Sequence, residues 1–338
     1  MVLRFFKGTV PSVIFMIAII FIAVWLPLFF SNSIVQNNVS YNNPMPLFGA
    51  LEHLLGSKIW ISNIAAVAIC AALAFLITSL NTTHLFIEER TFVPALIFIL
   101  FTALLPQYQA LNPALPASLF LIFSIKRMLE SYRKQGVAYN FFDAGILIGT
   151  GSLFYANLIW FGALIFIGIA IFRSINVKEI AVSILGLIIP YTIMFGLYYL
   201  LDYGLNELFL LIYDNLFSEV ASFSFSKLTI VALIFISAIS FTSFVHILML
   251  QKAKKIKSRK TLWFLTWMFF ITIGVYFFSP SASCEIFWIL GISLSYFIAN
   301  YLIFSKKKIL SEVFFSLFFL IILLIQVIYT FGKKFPYF

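Results

Sequence analysis

Long apolar runs, separated by short polar segments, follow one another along nearly the whole chain. Several contain about 18 to 25 residues, which at about 1.5 Å per residue matches the roughly 30 Å hydrocarbon core of a bilayer. A helix satisfies its own backbone hydrogen bonds, as a segment inside lipid must. With 63% hydrophobic and only 10% charged residues, the chain lacks the charged surface of a soluble domain. These features predict an all-α, polytopic transmembrane bundle.

The basic residues are distributed unevenly between the polar segments. If the N-terminus is cytoplasmic, only Lys58, Lys227, Lys333 and Lys334 fall outside, which leaves 18 of the 22 Lys and Arg inside. This is the positive-inside bias of membrane proteins, and it predicts a cytoplasmic N-terminus. Because the bias accounts for the net charge of +10, the charge does not indicate a nucleic-acid partner.

The apolar runs predict about eleven membrane helices within a single integral membrane domain, residues 1–338. The apolar stretch from Phe141 to Phe172 is too long for one straight crossing, and the basic segments on both sides of it favour the same side of the membrane. We therefore predict that it turns back near Asn157 as two short helices. The other predicted helices are about 11–30, 63–80, 91–105, 115–126, 180–201, 228–250, 262–279, 285–304 and 309–331.

Two amphipathic helices are predicted in the outer segments, at about 47–55 and about 207–220. In the first, Glu52 and His53 lie opposite an apolar face, a pattern typical of a helix at the membrane surface. In the second, Glu207 and Asp214 share one face. The apolar face of the first helix contains Leu47, Phe48, Leu51, Leu54 and Leu55.

Glu52 and His53 are the candidate catalytic residues. Glu52 is the only carboxylate between residues 31 and 62, and a carboxylate can act as a general base or bind a cation, while a histidine can supply a proton. The alternative is that both residues simply form the polar face of a surface helix.

No metal site is predicted. His84 and Glu88 have a spacing that can bind a metal, but no third ligand lies nearby in the sequence. Cys70 and Cys284 are interpreted as small packing residues. Five glycines are interpreted as sites where helices approach closely. They are Gly145, Gly149, Gly151, Gly162 and Gly168.

Residues 81–172 resemble the membrane half of GT-C glycosyltransferases, which take sugars from polyprenyl-phosphate donors on the outer side of the membrane. The segment contains an outer turn, LLPQYQALNPALP (104–116), and a short helix that ends in a basic inner loop, SIKRMLESYRKQG (124–136). A Gly-rich segment, FFDAGILIGTGSLFYANLIW (141–160), and its return helix follow. The amphipathic helix before Lys58 also resembles the juxtamembrane helix of that family. The whole chain is similar to an uncharacterised multipass family of the inner membrane of Bacteroidota.

The resemblance implies a GT-C-like core over about 1–201, followed by C-terminal helices over about 228–331. It implies sugar transfer from a lipid-linked donor in a bacterial inner membrane, with Glu52 as the base. No cofactor is predicted besides this donor, and a requirement for a divalent metal is left open. Lys58, Asn157 and Lys227 are the substrate-binding candidates, the two lysines for the donor phosphate.

One departure from the GT-C pattern leaves the function open. That family usually places an Asp soon after the first helix, whereas residues 31–46 contain no carboxylate. Either Glu52 takes this role or the chain is a non-catalytic relative. The alternative function is a membrane scaffold whose outer amphipathic helices hold a protein partner of the cell envelope.

Overall fold

The computed structural model describes residues 2–8, 10–30, 43–55, 59–84, 86–134, 136, 138–173, 176–218, 227–250 and 255–331. The α-helices of this part are α1 (Val2–Phe6), α2 (Pro11–Trp25), α3 (Pro27–Phe30), α4 (Pro46–Leu55), α5 (Ile59–His84), α6 (Val93–Thr102), α7 (Ala114–Glu130), α8 (Ala138–Ser152), α9 (Ala163–Phe172), α10 (Val177–Leu200), α11 (Leu205–Phe217), α12 (Lys227–Leu250), α13 (Ile256–Phe278), α14 (Phe287–Phe304) and α15 (Lys308–Phe331). Short 3₁₀ helices cover Pro106–Tyr108, Ala156–Gly162 and Cys284–Ile286.

Within these ranges, seven helical segments are long and apolar enough to cross a membrane. They are Pro11–Phe29, Ile59–His84, Val177–Leu200, Lys227–Met249, Ile256–Phe278, Cys284–Phe304 and Lys308–Thr330. The segments Val93–Thr102 and Ala156–Phe172 are apolar but shorter. The chain is therefore a helical, multi-pass membrane protein, as predicted. The number eleven stays a prediction, because the helices that would complete it are short.

The predicted reversal near Asn157 is confirmed. α8 ends at Ser152, and the chain then turns into the 3₁₀ helix Ala156–Gly162, which leads directly into α9. Both predicted amphipathic helices are also present, as α4 and α11.

The centre of the bundle is formed by α14 and α6. In α14, 89% of the most apolar 18-residue window is buried inside the protein, against 17% for α10. All ten residues of α6 are buried. The exposed apolar side chains of α2, α10, α12 and α15 face away from this core, as expected of helices that contact lipid. One continuous apolar core includes residues from α1 to α15, and the predicted division near residue 201 stays a prediction.

Glycines bring α8 and α10 into backbone contact. A Cβ atom added to Gly145 would lie 2.6 Å from the Ser183 carbonyl oxygen, and one added to Gly186 would overlap the carbonyl oxygen of Phe142. Small residues allow such close approach of membrane helices, where dispersion contacts between backbones supply the attraction. The packing interpretation of Gly145 and Gly149 is thereby confirmed, since Gly149 likewise has the Leu187 carbonyl against it.

The bundle has two chemically different ends, which we call the basic end and the α4 end. At the basic end, Lys7 donates a hydrogen bond to the Ile303 carbonyl, and Arg173 forms a 2.8 Å ion pair with the buried Glu179. At the α4 end, the surface helices α4 and α11 lie next to each other. Lys227 is the only Lys or Arg that the described ranges place at the α4 end.

The helices at the α4 end stop at different heights. The Ser152 hydroxyl at the end of α8 lies 2.7 Å from the Tyr191 hydroxyl, but α10 continues for nine more residues, about 14 Å. Thr102, the last residue of α6, has its hydroxyl 4.0 Å from the Cys70 sulfur. Because α5 begins eleven residues before Cys70, it extends about 16 Å beyond that level. The ends of α6 and α8 are therefore recessed below those of α5 and α10.

Candidate functional site

A buried polar layer lies in this recess, where the segments that follow α6, α8 and α13 meet. We define the polar layer as the buried Tyr108, Tyr155, Asn157, Ser281 and Glu285 and the partly exposed Ser279. Their side chains come from three separate connections of the chain: 103–113, 153–157 and 279–286. These connections fold into the bundle and do not pass over its surface. Water does not surround their polar groups there, so the protein must supply the hydrogen-bond partners.

Asn157 is the centre of the hydrogen bonding in the polar layer. Its Nδ2 donates to the Ser281 hydroxyl at 3.0 Å, and its Oδ1 accepts from the Ser279 and Ser281 hydroxyls at 2.7 Å and 3.2 Å. Ser281 also reaches the Leu216 carbonyl oxygen at 2.9 Å. Asn157 therefore ties the α8–α9 reversal to the α13–α14 connection and to the end of α11.

Glu285 is a carboxylate inside the protein, with only 3% of its surface exposed. It lies close enough to Tyr108 and Tyr155 to interact electrostatically with both hydroxyls. The Tyr108 side chain also interacts with the thiol of Cys284. The Tyr155 hydroxyl is buried, and it interacts with the Asn157 side chain without reaching good hydrogen-bond geometry. An ionisable group enclosed in a membrane protein is costly, and such groups commonly mark functional sites.

α4 lies over this part of the molecule and carries both predicted catalytic residues. The backbone N–H of Leu47 donates a 3.1 Å hydrogen bond to the Leu153 carbonyl oxygen, which anchors the start of α4 on the α8–α9 reversal. Glu52 and His53 lie on the exposed face of α4. Partial burial among protein atoms raises the pKa of the Glu52 carboxyl above its usual value, because burial disfavours the charged form.

The predicted substrate-binding residues have different environments. Asn157 is 1% exposed, and its amide is engaged with two serines. Lys227 is exposed at the start of α12, and Lys58 lies outside the described residues. Among the described residues, Glu52, Asn157 and Lys227 share one end of the bundle, and the hydrogen bonds of Asn157 go to Ser279 and Ser281.

Residues 45–337 match the model of a family of unknown function, DUF6427. The chain belongs to the DUF6427 family. The match begins next to the first residue of α4 and includes the complete polar layer. No curated protein and no solved structure matches the chain.

Glu285, a buried carboxylate of this DUF6427 protein, was not among the predicted site residues. The signal was present as the polar run SPSASCE at 279–285, between two apolar helices. A polar run of this length is also typical of a loop in water. Only the recessed ends of α6 and α8 show that the run enters the protein, and that information comes from contacts distant in the sequence.

Proposed function

We propose that this DUF6427 protein is a GT-C-like glycosyltransferase. It transfers a sugar from a polyprenyl-phosphate donor to an acceptor at the α4 end, which faces the outside of a bacterial inner membrane. The observation that carries the proposal is the position of Glu52: an exposed carboxylate with a raised pKa on a helix anchored at the edge of a recessed polar layer. A general base works best with a pKa close to the working pH.

The transfer step uses Glu52 as the base. Glu52 takes the proton of an acceptor hydroxyl as that oxygen attacks the anomeric carbon of the donor sugar. The bond between this carbon and the phosphate oxygen breaks, and the polyprenyl phosphate leaves with the bonding electrons. The proton that Glu52 has taken is then released to the solvent with His53 as the relay, which restores the Glu52 carboxylate. Lys58 and Lys227 balance the negative charge of the departing phosphate.

The polar layer supports the acceptor side of the proposed site. Asn157 is buried and held by Ser279 and Ser281, so its proposed role is to fix the α8–α9 reversal on which α4 is anchored, and not to contact the acceptor directly.

A second candidate function is a membrane scaffold for an envelope protein. It is favoured by the surface of α11, where the acidic Glu207 and Asp214 are exposed beside Phe209, Tyr213 and Phe217. Aromatic residues are enriched at protein interfaces. A scaffold also needs no cations to bind a donor phosphate. This fits the α4 end, because Lys227 is the only Lys or Arg in the described part of that end.

Native mass spectrometry of the mildly solubilised protein separates the two functions. A co-purified polyprenyl phosphate or its sugar conjugate supports the transferase and identifies the donor sugar. A stoichiometric protein partner with no such lipid supports the scaffold and overturns the transferase.

Once the donor is identified, Glu52→Gln tests the base. We expect it to lower transfer by 10²-fold or more, on the order of the loss of a general base, with Glu207→Gln as the matched control on α11. Wild-type transfer should fall as the pH drops through the raised pKa of Glu52, because only the ionised carboxylate accepts a proton. Full transfer by Glu52→Gln excludes Glu52 as the base.

A further inference from the structure

A group of cations surrounds one buried histidine at the basic end. His84 is the last residue of α5 and is 7% exposed, and its Nδ1 atom is buried with no hydrogen-bond partner. Lys126, Lys134 and Lys257 all lie close enough to interact electrostatically with His84. Lys126 and Lys134 belong to the end of α7 and the turn that follows it, and the start of α13, which carries Lys257, is held near His84 by the 3.2 Å hydrogen bond from the Ser258 hydroxyl to the Phe86 carbonyl oxygen.

Two further cations lie on the neighbouring ring of Tyr132. The Arg133 guanidinium carbon is 5.4 Å, and the Lys260 Nζ is 5.6 Å, from the centre of this ring. Arg133 has a left-handed backbone, with φ of 57°, a conformation that costs a non-glycine residue about 1 kcal/mol or more. This conformation occurs in the turn that follows α7, where the Arg133 guanidinium lies over the Tyr132 ring.

The acids near this cluster are already engaged. Glu130 is the acid that interacts electrostatically with His84, and its carboxylate is 3.4 Å from Arg127. Arg127 is also 3.4 Å from Asp143, and Glu88 accepts the backbone N–H of Lys255 at 2.9 Å. Lys257 lies in the first turn of α13, where the helix dipole favours an anion. The cluster therefore has an excess of positive charge and of hydrogen-bond donors.

Exposed apolar side chains lie next to the same cations. Phe123 is 41% exposed and precedes Lys126 by one helical turn, and Trp263 is 39% exposed and follows Lys260 by one turn. Residues three apart are neighbours on a helix surface. A ligand at this place thus meets cations at one end and an apolar surface at the other.

We propose that His84, Lys126, Lys134 and Lys257 bind the phosphate group of an anionic membrane lipid. The His84 Nδ1–H donates to a phosphate oxygen, the lysines neutralise its charge, and the acyl chains lie along Phe123 and Trp263. Basic pockets between membrane helices recognise lipid phosphates in this way. The site is at the opposite end from the proposed transferase site and does not depend on it.

The test compares two double variants that remove the same charge. Lys126→Gln with Lys257→Gln alters the site, and Lys306→Gln with Lys307→Gln alters exposed lysines of the same end. Native mass spectrometry with added phosphatidylglycerol should show binding weakened about tenfold or more in the first and less than about twofold in the second. His84→Gln, which keeps a polar group of similar length, should weaken binding without lowering the thermal unfolding midpoint in phosphatidylcholine nanodiscs.

An equal loss of phosphatidylglycerol binding in both double variants overturns the site. Such a result is expected when the lipid is attracted diffusely by the whole charged surface of the protein. A wild-type protein that does not prefer phosphatidylglycerol to phosphatidylcholine overturns it too. A second arm adds inorganic phosphate to protein in phosphatidylcholine nanodiscs, with chloride at equal ionic strength as the control. A rise in the unfolding midpoint that is absent from the first double variant supports the phosphate site and identifies free phosphate as its ligand.

Discussion

Asn157 connects the α8–α9 reversal to Ser279 and Ser281 of the α13–α14 connection by hydrogen bonds, so its contribution can be measured by one substitution. Asn157→Ala removes the hydrogen bonds between the Asn157 amide and the Ser279 and Ser281 hydroxyls, which retain each other and the Leu216 carbonyl oxygen as partners. We expect a loss of about 1–3 kcal/mol in stability, seen as a lower thermal unfolding midpoint in detergent. Asn206→Ala, at an exposed position of α11, should change stability by less than about 0.5 kcal/mol. Equal midpoints for the two variants would show that the Asn157 hydrogen bonds add nothing.

Asn157 also shows how much of the environment of a single residue can be predicted from the sequence. The apolar length around Asn157 and the basic segments on either side predicted the reversal there, and the structure has it. The partners of Asn157 lie 122 and 124 residues away, beyond any local pattern. Glu285 was missed for the same reason: its burial depends on where α6 and α8 end.

The packing of α8 on α10 allows a prediction at the scale of elements, because α10 carries a glycine in the contact and another outside it. Gly186→Ala would overlap the Phe142 carbonyl, whereas a Cβ on Gly196 has nothing within 4 Å. We expect Gly186→Ala to destabilise the protein by about 1–3 kcal/mol and Gly196→Ala to stabilise it by up to about 1 kcal/mol. Thermal unfolding in detergent measures both, and shifts of the same sign would contradict the backbone contact.

Helix positions were predictable from the sequence, but helix depths were not. The apolar run predicted at 180–201 corresponds to α10, Val177–Leu200, and the run predicted at 47–55 to α4, Pro46–Leu55. In contrast, the run predicted at 91–105 contains a helix of only ten residues, α6, which continues into buried, irregular backbone. Hydropathy cannot separate these cases, because buried loops and lipid-facing helices both use apolar side chains. Contacts such as Gln326 Nε2 to the Ala103 carbonyl, at 2.8 Å, satisfy that backbone instead of water.

The whole molecule has one end crowded with Lys and Arg and one end almost without them, so its orientation can be predicted and tested directly. The positive-inside bias puts the basic end in the cytoplasm and the α4 end outside. Both native cysteines are buried, which keeps background labelling low. Asn206→Cys on α11 and Lys307→Cys at the basic end introduce thiols at exposed positions. A membrane-impermeant maleimide should label Asn206→Cys in intact cells, and Lys307→Cys only after the membrane is permeabilised.

The orientation also tests the proposed transferase. Glu52 and the polar layer lie at the same end as Asn206, so labelling of Asn206→Cys in intact cells places the proposed base on the side where an outer-face acceptor is found. The opposite pattern would place Glu52 in the cytoplasm and the His84 cluster outside. Transfer to an outer-face acceptor would then be excluded. The phosphate site depends only on its own cations and apolar surface, so it would bind lipids of the outer leaflet instead.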